Sequence, residues 1–147
     1  MTVTAAKIPM RLPSILLVTL LLCVSASAQT PQKPEQLAQS SADAWLLVVD
    51  AGKYAQSWDE TAQSFKAVVT NEQWLSLLDA NRAPQGKVLS RKLKSATYSK
   101  NPPNAPEGEY VTIQYDTNFE HKQSAVETVV PNLDKDGKWR VSGYFIK

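Results

Sequence analysis

Arg91 lies in the segment Leu89 to Lys94, where leucines alternate with polar and basic residues. Alternation is the pattern of a strand, so the two leucines are expected to face a core and Arg91 to face it with them. A guanidinium there must be paired, because an isolated buried charge is costly. Asp50 would make a structural ion pair with it, as would Glu127 if the phase of its strand differs. A ligand carboxylate or phosphate would instead make Arg91 an anion clamp, with Tyr115 and Trp45 as walls. A third outcome is that Arg91 snorkels to solvent. Asp50 and Tyr115 are also the best pair for an isomerase- or dehydratase-like enzyme, which needs a base and an oxyanion donor. The sheet face assigned inward carries no acid, so Asp50 would have to reach in from the first helix.

Other chemistries find little footing. His121 is the only histidine and falls in a turn. One histidine without cysteines makes no strong metal centre. Asp134 and Asp136 in the run Leu133 to Gly137 lack the later ligands of an EF-hand loop, and a tight turn is expected there. No nucleophile elbow, phosphate-binding loop or dinucleotide fingerprint occurs. No cofactor or metal is implied.

Residues 1–28 read as a secretory signal peptide. Lys7 and Arg11 precede an apolar run from Leu12 to Val24, which is short for a bilayer span, and Ala26-Ser27-Ala28 forms a cleavage site. The mature chain would begin at Gln29, in the periplasm or outside the cell, with no stable membrane anchor. Cys23, the single cysteine, leaves with the signal, and Leu22 before it argues against lipidation. Export without disulfides points to a bacterial periplasm. The full chain carries 16 basic and 14 acidic residues, and processing lowers the basic count to 14 by removing Lys7 and Arg11. A neutral mature chain is a poor partner for nucleic acid, and the basic run Arg91 to Lys94 would split between two strand faces.

Residues 29–34 form a flexible leader and 35–147 a single domain. A first helix spans about Pro34 to Ala51, with Ala38, Ala42, Trp45, Leu46 and Val49 on one stripe and Gly52 as its stop. Ser57 to Glu60 has the form of a capping box, predicting a second helix with Trp58, Ala62, Phe65 and Val69 inward. Thr70 to Gln73 repeats the signature, predicting a third helix that ends near Arg82. The period then becomes that of strands: Val88–Tyr98, Tyr110–Phe119, Ser124–Leu133 and Trp139–Ile146. Val111, Ile113, Tyr115 and Phe119 share one face of the second strand.

Asp136-Gly137 marks a hairpin. A three-residue loop would reverse the pairing, whereas a two- or four-residue loop would put Val126, Thr128 and Val130 on the helix-facing side with Trp139, Val141, Gly143 and Phe145. Glu127, Arg140 and Tyr144 would then lie on the outer side, where Tyr110 joins them as a surface for a protein partner. The tryptophans at 45, 58, 74 and 139 are expected in the core.

Helices followed by an antiparallel meander give an α+β class. A curved four-stranded sheet wrapped on the helices is a cone of the nuclear transport factor 2-like (cystatin-like) kind. The runs Ala44 to Glu60, Gln73 to Leu93 and Pro106 to Phe119, with Glu127 and the ending Trp139 to Lys147, resemble the bacterial domain-of-unknown-function 4019 family. The resemblance covers about residues 42 to 147 and implies a small exported bacterial protein with no activity attached. The expectation is a non-enzymatic periplasmic domain that binds a small anionic ligand or a protein partner. The isomerase-like enzyme and a purely structural partner-binding domain stay open beside it.

Overall fold

The computed structural model describes residues 1, 2, 4 and 31–147. The apolar run, Cys23 and the expected cleavage site lie outside the described residues. From Pro31 onward the chain forms one compact unit.

Helix α1, Pro34–Asp50, starts with a proline at its first turn, where the missing N–H costs nothing. Its stripe of Ala38, Ala42, Trp45, Leu46 and Val49 is buried. It ends before Gly52, which adopts a φ of 72°. Such a left-handed angle is easy for glycine and strained for other residues.

The second expected helix is two short ones, α2 (Tyr54–Asp59) and α3 (Gln63–Lys66). Ser57 does not cap either. It sits inside α2, and its hydroxyl donates back to the Tyr54 carbonyl at 2.7 Å. The capping-box pattern misled because the chain is already helical from Tyr54. Helix α4, Asn71–Asn81, begins where expected. Thr70 Oγ1 accepts from the Gln73 N–H at 3.3 Å, and the Gln73 side chain accepts from the Thr70 N–H at 2.9 Å. A 3-10 turn, Ala83–Gln85, follows.

Strands β1 (Val88–Lys100), β2 (Glu109–Phe119), β3 (Ala125–Leu133) and β4 (Trp139–Ile146) form one antiparallel sheet in the order β1-β2-β3-β4. The helices cover one face. Val111, Ile113 and Tyr115 of β2, Val129 of β3 and Val141 of β4 pack there against Trp45, Leu46, Trp74 and Leu78.

The sequence pattern and the sheet disagree at two places. Leu89 and Leu93 were expected inward, but they are 65% and 41% exposed. Leu89 falls in the register shift between Val88 and Ser90, whereas Leu93 pairs with Tyr115 on the helix-facing side and is exposed because β1 is an edge strand. The β3–β4 hairpin also shifts register. Its turn pairs Leu133 with Trp139 and Pro131 with Val141, then an irregularity lets Val129 pair with Tyr144 and Thr128 with Phe145. Glu127 and Tyr144 therefore share the helix-facing side, contrary to the outer placement expected for them. Thr128 and Phe145 face away from the helices.

Candidate functional site

The elements bring four charged side chains together beneath the C-terminal end of α1. Asp50 is the last residue of α1, Arg82 caps the end of α4, and Arg91 and Glu127 come from β1 and β3. An aspartate at a helix C-terminus meets the negative end of the helix dipole, so it needs cations nearby. It has two. Arg91 donates to Asp50 through Nη1 at 2.7 Å and Nη2 at 3.1 Å. Arg82 donates to the same carboxylate through Nη2 at 3.0 Å.

Arg91 also grips Glu127, through Nε at 2.6 Å and Nη2 at 3.1 Å. Glu127 has no exposed surface. It accepts from the hydroxyls of Thr117 at 2.7 Å and Tyr144 at 2.6 Å as well. Four donors thus fill the acceptor positions of this carboxylate. Burial disfavours the charge on Arg91, but its hydrogen bonds to Asp50 and Glu127 outweigh that and raise its pKa further. Burial raises the Tyr144 phenol, and the Glu127 charge adds to the shift.

The pairing expected of Arg91 is made with Asp50 and Glu127 together. Four of its five N–H groups are used, so a ligand anion would have to displace a protein carboxylate. Asp50 takes three guanidinium bonds, two from Arg91 and one from Arg82. Tyr115 is buried on the helix-facing side, and its hydroxyl donates to Asp43 at 2.5 Å, not to Asp50. Trp45 is a core residue whose indole N–H donates to the Ser57 carbonyl at 2.8 Å and whose ring lies 5.4 Å from that of Tyr144. Of the four residues singled out for a pocket, Trp45 and Tyr115 are buried in the core, and Asp50 and Arg91 are partly buried and paired with each other.

The outer-face group divides. Tyr110 and Arg140 both neighbour Asn132 across the sheet, on the face opposite α1, where Ser64 of α3 donates to Asn132 at 3.3 Å. Tyr110 is covered by the loop after β1, and its hydroxyl donates to the Pro106 carbonyl at 2.9 Å. Arg140 donates to Asp134 at 2.8 Å and bidentately to Asp136 at 2.9 and 2.8 Å. Glu127 and Tyr144 belong to the buried network. Among the described residues no group of three or more His, Cys, Asp or Glu side chains could hold a metal ion, and no helix is long and apolar enough to cross a membrane.

The surface offers what the interior does not. Val68 is 76% exposed, Phe145 59% and Leu77 49%. These three border three adjoining depressions. Val68 and Leu77 line one of about 610 Å³ along α4. Leu77 and Phe145 line one of about 320 Å³ between α4 and β4. Val68 and Phe145 line one of about 460 Å³ on the outer face of the sheet. Pattern alone missed this surface because α3 was expected to continue a helix whose Phe65 and Val69 point inward, which gave no reason to look at Val68.

Fold and site together define a small α+β domain built on a largely buried ion-pair network, with apolar side chains left on its surface. The chain belongs to the family described as protein of unknown function (DUF4019), which matches residues 41–144. No curated protein and no solved structure matches it.

Proposed function

We propose that this is an exported bacterial domain that works by binding a protein partner, without catalysis. The observation that carries the reading is the run of exposed Val68, Leu77 and Phe145 around three adjoining depressions. Contiguous apolar surface of this kind marks association sites, because leaving it in water costs free energy that a partner recovers. The neighbouring ion-pair network supports the same reading, since its charged groups are committed to one another. A periplasmic location follows from the signal-like start of the sequence. The nuclear transport factor 2-like cone is the architecture we propose for the helices and sheet.

Native mass spectrometry of the protein taken from its own cell envelope tests this reading. The expected result is a complex heavier than the monomer that is lost in a Val68→Asp, Phe145→Asp variant with unchanged melting temperature. A monomer carrying a small molecule, released by Arg91→Ala and indifferent to the surface substitutions, would overturn it in favour of the anion clamp. Amino-terminal sequencing of the same material should begin at Gln29. An intact Met1 in a cytosolic fraction would overturn the location.

A further inference from the structure

The two free edges of the sheet are treated differently. Edge strands tend to recruit further strands, and proteins blunt them with charge, lysine above all. The β1 edge carries Arg91, Lys92, Lys94 and Lys100. The final stretch of β4, Ser142 to Ile146, carries no charge.

The backbone of that stretch is also unmet. Lys147 and Val126 exchange both backbone hydrogen bonds, at 3.0 and 2.9 Å. In an antiparallel pair the direction alternates residue by residue, so Ile146 and Tyr144 turn their N–H and C=O groups away from β3. Neither finds a backbone partner on that outer side among the described residues. Further back along β4 the edge is already used, because the Ala62 N–H donates to the Val141 carbonyl at 2.8 Å. The chain thus makes a strand-like contact on one half of this edge and leaves the other half open.

Helix α4 packs on α2 and stands off β4. The gap is the groove of about 320 Å³, walled by Trp74, Leu77 and Leu78 on one side and by Tyr144 to Lys147 on the other. Arg82 lines it too, and its Nε is buried with no hydrogen-bond partner. A buried donor without an acceptor is unusual and costly. We infer that the open edge of β4 and the groove beside α4 take up an extended segment of a partner polypeptide, paired as an added strand with apolar side chains at alternate positions. Pairing supplies acceptors and donors for Tyr144 and Ile146, and every second side chain meets the leucine wall. This rests on the protein-binding reading and gives it a site and a ligand class.

The test uses the full protein and a displayed library of random decapeptides. Selected peptides should show apolar residues two apart and should protect the Tyr144 and Ile146 amides from hydrogen exchange. Ile146→Pro removes only an outward N–H, which an edge strand tolerates. That variant should bind selected peptides roughly tenfold more weakly, the loss of about one hydrogen bond, and should keep its melting temperature. Leu77→Asp should weaken binding at least as much. Three results would overturn the proposal: no peptide selected, binders that protect other amides only, or a homodimer in which Tyr144 and Ile146 are protected without peptide. If the native complex survives Ile146→Pro yet is lost with Val68→Asp, Phe145→Asp, the protein-binding reading stands and the strand proposal falls. If no native complex exists at all, the reading itself falls.

Discussion

Glu127 shows what a single side chain demands of its surroundings. A carboxylate with no exposed surface is tolerable only when its acceptors are filled, and here Arg91, Thr117 and Tyr144 fill them. Removing one partner strands the rest. Glu127→Ala should cost about 3–5 kcal/mol in urea denaturation, the usual range for breaking a buried ion pair. Arg91→Leu should be comparably harmful. Combined as Arg91→Leu with Glu127→Leu, the losses should fall well short of their sum, because the second change removes a charge the first left alone. Additive losses would contradict the network. The tyrosines make a pH prediction. Burial raises the pKa of Tyr144 and, with help from Asp43, of Tyr115, both from a usual value of 10.0. The unfolded chain then loses these protons first as pH rises. Their contribution is complete below about pH 10 and is lost above it. Melting temperature should therefore fall between pH 9 and 11, and Tyr144→Phe should flatten that fall.

At the scale of elements, the parts that were legible in the sequence are those set by local chemistry. The β2 alternation is reproduced because both of its neighbours are strands and no register shift interrupts it from Tyr110 to Thr117 on the β3 side. The α4 cap is reproduced because Thr70 and Gln73 need nothing outside four residues. Thr70→Ala should cost about 1 kcal/mol, readable as a shift in urea midpoint at unchanged slope. What sequence could not carry is register. The placement of Glu127 turned on a loop length and on a bulge near Pro131, which has no N–H to give the ladder. The hairpin turn itself has a titratable clasp. The hydrogen bonds from Arg140 hold the Asp136 carboxyl down to about 2, against a usual 3.8. A lowered value means the clasp is whole above about pH 4 and is lost as pH falls toward 2. Amide shifts of residues 134–140 should report that titration, and Asp136→Asn should abolish it.

Across the whole molecule, the class of fold was readable because helical periods end and strand periods begin on either side of Gly86. That glycine has a φ of 75°, and a side chain there would press within 2.9 Å of Glu120 and His121. Gly86→Ala should therefore destabilise the whole domain by more than about 1 kcal/mol, measured by thermal unfolding. The candidate surface was less readable, since exposure of Val68 and Phe145 depends on how far α3 extends and which way β4 turns. Neither is written in a hydrophobic period. The order of the elements has a further consequence, for the protein while it is being made. Of the described elements α1 emerges from the ribosome first, yet it packs chiefly on β4 and β3, which emerge last of them. Asp50 waits for Arg82 and Arg91, and Glu127 waits for Tyr144 in β4. Contacts of α1 with α2 and of β1 with β2 can form earlier, but the core of this domain closes only once β4 has emerged. Until then the apolar stripe of α1 stays open to whatever machinery handles unfolded chains.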